Sequence, residues 1–193
     1  MTRLASTSVV LSLVGLTGAG ALAGQQPSAV RSISARTAAI VAAFSKNKHV
    51  VKERRGVRHE KYKKVVSEPV LNTNPEMLTG TYEVDDIGST LILQVSRDGQ
   101  VSGSGTETLA EGVARTFTLK DGKIDGALLI AVKVFRSGRT ERLEGAFMNR
   151  TSYDSPTDRG VSALGLGVIG APLTFHGNTY EKFFYRRKST VSS

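Results

Sequence analysis

The side chains that could support nucleophilic catalysis are few and widely spaced. His176, with Asp154 or Asp158 and a serine, has the residue types of a hydrolytic triad, in which a histidine takes the proton of the serine hydroxyl. A triad is defined by geometry that the sequence does not contain, so no catalytic residue is assigned. Hydrolysis of an unknown substrate is therefore a third hypothesis, and a protein without catalytic activity is favoured.

Metal and phosphate chemistry has little support in the sequence. The chain has no cysteine and three histidines, which follow no metal-ligand spacing. Glu83, Asp85 and Asp86 cluster, but they lack the one-apart spacing of a calcium loop and suit a solvated turn. Residues 165–170 match G-x-G-x-x-G, yet Ala-Pro-Leu follows instead of a helix, which favours a glycine-rich strand over a dinucleotide site. We therefore predict no metal and no cofactor.

The strongest chemical signal is a basic segment, residues 46–64. Its nine cations are opposed by two carboxylates, Glu53 and Glu60, so it carries +7 of the chain's net charge of +9. Such a block attracts anionic phospholipid, surface polysaccharide, nucleic acid or an acidic protein, although a solvated arm is the alternative. Tyr62 is its one aromatic residue, which argues against nucleic acid. The predicted polyanion-binding residues are Lys46, Lys48, Lys52, Arg54, Arg55, Arg58, Lys61, Lys63 and Lys64.

The strands that would position these groups are predicted from residue 79 onward. Leu91, Leu93 and Val95 alternate with mostly polar residues, which is the pattern of a half-buried strand. Glycine-containing turns separate similar runs, at Asp98-Gly99, Asp121-Gly122, Ser137-Gly138 and Gly177-Asn178. The predicted strands lie near residues 79–84, 89–96, 100–108, 114–119, 124–135, 139–149, 161–168 and 179–187.

Eight short strands with no helical period between them favour a closed antiparallel barrel. Eight strands enclose an interior just wide enough for side chains or one small ligand, and closure removes exposed edges. We predict a mainly β fold: a single antiparallel eight-stranded up-and-down barrel over residues 79–189, preceded by a helical basic arm. A β-sandwich is the alternative.

The amino-terminal region combines a signal-peptide pattern with a helical and basic segment. Residues 1–24 have the pattern of a secretory signal peptide, with Arg3, an apolar run and an Ala-Leu-Ala motif that predicts cleavage after Ala23. We therefore expect a secreted or periplasmic protein. Residues 25–66 are predicted as an amphipathic helix, capped by Ser28 and packed on the barrel or on a second copy, followed by the basic arm, with a membrane-surface helix as the alternative to packing. Residues 67–78 are predicted as a linker.

Three short sequences within residues 79–105 resemble the opening strands of avidin and streptavidin, which are calycin-type barrels. They are GTY at 80–82, GSTL at 88–91 and DGQVSG at 98–103. The resemblance implies an eight-stranded barrel with a ligand pocket at one mouth, and it places Ser89 at a ligand-contacting serine of that family. Tyr82 replaces a family tryptophan, and Gly105 falls where the family has a binding tyrosine. Because the chain has no tryptophan, the cage that encloses biotin cannot form, which argues against biotin.

These observations lead to a binding hypothesis. We expect a secreted or periplasmic, lipocalin-like, non-enzymatic barrel that binds a small apolar ligand or an envelope component, with the basic arm directed to anionic surfaces. The alternative is a structural or assembly protein that acts through the arm. Inward faces of the second, fifth and eighth strands would line the pocket, unless those residues are plain core. The predicted ligand-binding residues are Ser89, Leu91, Leu93, Leu128, Ile130, Tyr180 and Phe184.

Overall fold

Ten strands and one α-helix form the fold. The computed structural model describes residues 33–71, 74–84, 87–109, 112–175 and 178–188, except for the side chains of residues 171–175, 178 and 180. A 3-10 turn spans Pro75–Leu78. The elements are α1 (Ala35–Ala43), β1 (Lys46–Arg54), β2 (Val57–Pro69), β3 (Gly80–Val84), β4 (Ser89–Val95), β5 (Gln100–Thr108), β6 (Ala114–Asp125), β7 (Leu128–Phe135), β8 (Thr140–Tyr153), β9 (Val161–Phe175) and β10 (Asn178–Arg187).

Strands β3 to β10 close into an antiparallel barrel. Each strand pairs with the next in the chain, β10 returns to pair with β3, and all neighbours are antiparallel. The eight-stranded up-and-down barrel predicted from the turn spacing is therefore confirmed, together with a short helix ahead of it. The alternative sandwich is not formed.

Apolar side chains fill the barrel interior at the end where β3 begins. Along β4, Ser89, Leu91, Leu93 and Val95 are buried while their neighbours are more exposed, as alternation requires. The 3-10 turn closes this end. It is held there by the Tyr82 hydroxyl, which donates a hydrogen bond of 2.6 Å to the carbonyl of Leu78, the last residue of the turn. The core includes Leu78, Tyr82, Leu91, Leu93, Val95, Val101, Leu119, Ile124, Leu129, Phe147 and Leu166.

Helix α1 covers the outer face of the barrel wall. Ser34, not Ser28, caps it, and the Ser34 hydroxyl accepts a hydrogen bond of 3.1 Å from the Thr37 amide. Its apolar stripe packs on the barrel, one of the two placements that the sequence predicts. Gly167 makes room for this contact, because a Cβ there would lie 2.8 Å from the Phe44 ring. The contact comprises Ile40, Val41 and Phe44 of the helix side with Leu128, Ala146 and Met148 of the wall.

The basic segment is a β-hairpin, and the prediction of a helical basic arm is wrong for this part. β1 and β2 pair along their length through a tight turn in which Arg55 and Gly56 have φ values of 52° and 73°. Positive φ at both central residues is the geometry of a type I′ hairpin turn. Abundant lysine and arginine, which are good helix formers, hid the strand signal of Val50, Val51 and Val57.

Two predicted connections are parts of strands. Asp121-Gly122 is a bulge inside β6, with a positive φ of 50° at Asp121 and a register shift in the pairing with β7, and the chain reverses at Gly126 instead. The segment predicted as a linker begins with the last residues of β2, which pair with β8 in the register Ser67 to Arg150. The other Asp-Gly and Ser-Gly turns lie where the sequence predicts them, with positive φ at Gly99 and Gly138.

Candidate functional site

A cavity of about 410 Å³ occupies the mouth of the barrel opposite the 3-10 turn. Ser89 begins β4 and Glu107 lies near the end of β5, while Arg115 lies near the start of β6 and Lys133 near the end of β7. Because neighbouring strands are antiparallel, these alternating strand starts and ends meet at one mouth. The apolar part of the lining consists of Ile87, Leu109, Leu143, Val168, Ile169 and Phe183.

Four charged side chains form a network inside this mouth. Register places Glu107 opposite Arg115 and Lys133 opposite Glu141 on adjacent strands. The Lys133 ammonium is ion-paired with Glu107, and one Arg115 nitrogen lies 3.3 Å from Glu107 and 3.8 Å from Glu141. Since the Lys133 side chain is 10% exposed and that of Glu107 16%, water screens their pairing weakly. The network therefore holds its charged groups in fixed positions.

Aromatic rings support both cations of the network. Lys133 lies 5.1 Å from the centre of the Phe117 ring, and the Arg115 guanidinium lies 4.8 Å from the centre of the Phe135 ring. The Phe117 ring occupies the space beside Gly105, where an added Cβ would approach it to 2.4 Å. The space beside Gly105 is thus filled by an aromatic ring from the next strand.

The hydroxyl groups of Ser89 and Tyr185 also line the cavity. The Ser89 hydroxyl accepts a hydrogen bond of 3.1 Å from the amide of Thr108, which ties the start of β4 to the end of β5. Tyr185 is 6% exposed. Burial raises the pKa of its phenol, and the negative charge of Glu107 adds to the rise, so Tyr185 keeps its proton in the folded barrel.

The predicted ligand-binding residues divide between the two faces of the wall. Ser89 lines the cavity, whereas Leu91 and Leu93, each 1% exposed, belong to the packed core below it. Leu128, Ile130 and Phe184 lie on the outer face under α1, so their predicted inward placement is wrong. The side chain of Tyr180 is outside the described residues.

The face assignment failed because α1 covers part of the outer wall. β7 has apolar residues on both faces, and its inward face carries Lys133 between Ala131 and Phe135. A lysine normally marks the solvent side of a strand, so the sequence favoured the wrong face. The cavity residues that sequence reasoning missed are Glu107, Arg115, Lys133, Glu141 and Tyr185.

The predicted triad candidates are only partly described. Asp158 accepts hydrogen bonds from the amides of Asp154 and Gly160, which lower its pKa and make it a loop-stabilising group. That loop precedes β9, whereas His176, which lies outside the described residues, follows the fifteen-residue strand. The hydrolase hypothesis therefore stays a prediction. Residues 165–170 lie within β9, as the strand interpretation of the glycine motif predicts.

The carboxylate cluster is only partly described. Glu83 is ion-paired with Lys188, and Asp85 and Asp86 lie outside the described residues. In the described ranges, no group of three histidine, aspartate or glutamate side chains could hold a metal ion.

The predicted polyanion-binding residues lie together on the β1–β2 hairpin. β1 pairs with β2 alone, and β2 joins the barrel wall only from Lys64 onward, where it pairs with β8. The first seven residues of β2 therefore have no strand neighbour other than β1. Together with β1 they form a two-stranded ribbon that stands away from the wall. All nine cations are exposed, so they are available to a partner in solution.

Comparison with protein-family models, with curated proteins and with solved structures found no match. The nine-residue α1 is far shorter than a membrane span, and the described residues contain no other helix that could cross a bilayer.

Proposed function

We propose that the protein is a non-enzymatic binding barrel that holds a small molecule with an apolar body and an anionic group in its mouth cavity. The observation that carries this proposal is the cavity itself, apolar on one side and lined by fixed charges on the other. A volume of about 410 Å³ lies in the range of small-molecule sites. A few placed polar groups in a mostly apolar concavity are the usual means of orienting such a ligand.

The charge balance of the lining favours an anionic group on the ligand. Four cations and two carboxylates border the cavity, so an incoming anion meets surplus positive charge. Arg139 also pairs with Glu141 at 2.8 Å and remains 63% exposed, which places a cation at the rim. The bordering charged residues are Arg115, Lys133, Arg139, Arg142, Glu107 and Glu141.

The partial resemblance to avidin and streptavidin supports a ligand at this mouth. Ser89, at the position of a ligand-contacting serine in that family, lines the cavity. Biotin itself is not proposed, because the chain has no tryptophan to enclose it. The signal-peptide pattern of residues 1–24 supports the further proposal that the barrel acts outside the cytoplasm, secreted or in the periplasm.

A cavity-filling variant tests the proposal. Gly170 lines the cavity and has ordinary φ, and a Cβ there would meet only the Phe183 ring at 3.6 Å, so Gly170→Phe can fill the mouth without a backbone clash. Val161, 73% exposed and outside the cavity lining, provides the matched control Val161→Phe. The probe is 8-anilinonaphthalene-1-sulfonate, an amphipathic anion whose fluorescence rises on transfer to an apolar site.

We expect saturable binding to the parent protein and to Val161→Phe, and at least about tenfold weaker binding to Gly170→Phe, because the added ring occupies the probe's volume. Equal affinities in all three proteins would contradict the proposal. Thermal unfolding of each variant checks that the barrel is intact.

A second candidate function, attachment to an anionic surface, is favoured by the projecting basic hairpin. Replacing residues 48–63 by a two-residue Asn-Gly turn would keep the Asn47 to Lys64 pair at its base and remove most of the charge. We expect this shortened protein to lose salt-sensitive binding to vesicles that contain phosphatidylglycerol. Binding that survives the replacement would contradict the second function and leave the cavity proposal untouched.

A further inference from the structure

The positive charge of the β1–β2 hairpin lies almost entirely on one of its faces. Residues paired across an antiparallel ribbon share a face, and residues two apart along a strand share it too. The face that contains the Lys48–Lys63 and Val50–Lys61 pairs has six cations and no carboxylate. We call it the cationic face; its charged members are Lys46, Lys48, Lys52, Arg54, Lys61 and Lys63.

The opposite face has no surplus charge. Arg58 and Lys64 are its cations, and Glu53 and Glu60 balance them. Arg58 is ion-paired with Glu60, and Lys64 lies 5.8 Å from the centre of the Tyr153 ring, so both cations already have partners in the protein. The ribbon is therefore charged on one side and neutral on the other.

The six side chains of the cationic face are free to meet a partner. All are exposed, and none has an ion-pair partner among the described residues. Same-face neighbours along a strand are about 6.7 Å apart, and cross-strand neighbours are about 5 Å apart, so the six positive groups form one extended array along the ribbon.

The cationic face continues onto the barrel wall. A groove of about 660 Å³ at the base of the hairpin is lined by Lys46 and Lys63 of the ribbon together with Arg150, Lys182 and Arg186 of β8 and β10. Lys182 donates a hydrogen bond of 3.1 Å to the carbonyl of Ala43, which keeps it at the helix end beside the groove. Hairpin and wall thus present one extended positive surface.

Protection of an exposed strand edge does not explain this arrangement. Lysines on an edge strand discourage pairing with other chains, and they act at the free edge, which here belongs to β1. Lys61 and Lys63 lie on β2, away from that edge, and still point to the same face as the lysines of β1. The common feature of the six cations is their face and not their strand.

We infer that the cationic face docks on an anionic lipid membrane, with the neutral face turned away from it. Cations gathered on one side of the ribbon can approach a planar surface together, and each adds to the attraction. A ribbon seated in a DNA groove has phosphates along both walls, yet here Glu53 and Glu60 occupy the second face. Tyr62 pairs with His49 on that neutral face, and the cationic face carries one ring, the imidazole of His59 opposite Lys52, whereas single-stranded nucleic acid is normally held by several stacking rings. This inference rests on the second candidate function.

Two double variants of the full-length protein test which face of the hairpin contacts the membrane. Lys48→Gln/Lys61→Gln removes two charges from the cationic face, and Arg58→Gln/Lys64→Gln removes two from the neutral face. Vesicles of phosphatidylcholine with phosphatidylglycerol are the probe, pure phosphatidylcholine vesicles are the uncharged control, and co-sedimentation measures the bound fraction. We expect the first variant to lose about tenfold or more in partitioning and the second to lose less than about threefold.

Equal losses in the two variants would show that net charge alone governs binding and would overturn the inference, while leaving the second function standing. Tighter binding to a DNA duplex than to the anionic vesicles at the same salt concentration would overturn it in favour of nucleic acid. Binding that survives the shortened hairpin would instead remove the second function itself.

Discussion

Lys133 illustrates how single residues define the site. It is buried on the inward face of β7, between the Glu107 carboxylate and the Phe117 ring. A buried ammonium is stable only where a carboxylate compensates it, and Glu107 in turn depends on Lys133 and Arg115. The pair positions charge at the cavity wall at the expense of desolvating both groups.

Removing one member of this pair should cost more than removing both. We expect Lys133→Met to lower the free energy of unfolding by about 2 kcal/mol, because it leaves the Glu107 carboxylate with Arg115 alone. The double variant Lys133→Met/Glu107→Gln should recover part of that loss. Urea denaturation measures both effects, and Lys120→Met, at an exposed position of β6, is the matched control. A double variant less stable than Lys133→Met would contradict the pairing.

The buried tyrosines predict instability in alkali. Burial raises the pKa of Tyr82 from 10.0 to about 12, and burial with the charge of Glu107 raises that of Tyr185. A raised pKa means that the unfolded chain releases the phenolic proton first. Stability is therefore unchanged by these groups below about pH 10 and falls between about pH 10 and 12, by up to about 1.4 kcal/mol per pH unit for each tyrosine.

The variant Tyr82→Phe separates this effect from general alkaline damage. It should be less stable at neutral pH by about 1 kcal/mol, because the Leu78 carbonyl loses its donor. Its stability should then fall less steeply than that of the parent between about pH 10 and 12. Urea denaturation across this range provides the measurement, and parallel pH profiles for the two proteins would refute the assignment.

Among the elements, α1 determines which face of the neighbouring strands is buried. It packs Phe44 against Met148, and the adjacent Gly167 leaves room for the ring. We expect Phe44→Ala to destabilise the protein by about 3 kcal/mol, through lost burial and the cavity left behind. Ile33→Ala truncates an apolar side chain that is 42% exposed and should cost little. Similar losses for the two variants in urea denaturation would show that the helix does not contribute through this contact.

The strands of the barrel were predictable because alternation and glycine turns are local signals. β3, β4 and β5 lie within a residue of their predicted bounds. The faces were less predictable, since the apolar outer residue Leu128 is buried by a helix distant in sequence. The charged cavity was hidden for the same reason, because the pairing of Lys133 with Glu107 joins residues 26 positions apart.

For the molecule as a whole, the structure separates two kinds of surface. The barrel mouth holds a compact network in which cations and carboxylates compensate each other, whereas the hairpin carries most of the chain's surplus charge on one exposed face. Salt should therefore weaken interactions of the hairpin strongly and those inside the mouth much less. The two proposed functions should therefore be separable, by Gly170→Phe in one region and by Lys48→Gln/Lys61→Gln in the other.

Native mass spectrometry of the intact protein, purified without denaturant, tests the ligand-binding account most directly. We predict that the parent protein and Val161→Phe carry an additional small organic mass that collisional activation releases, and that Gly170→Phe is detected without it. The account would be contradicted by a parent protein that carries no such mass, or by the same mass retained in Gly170→Phe.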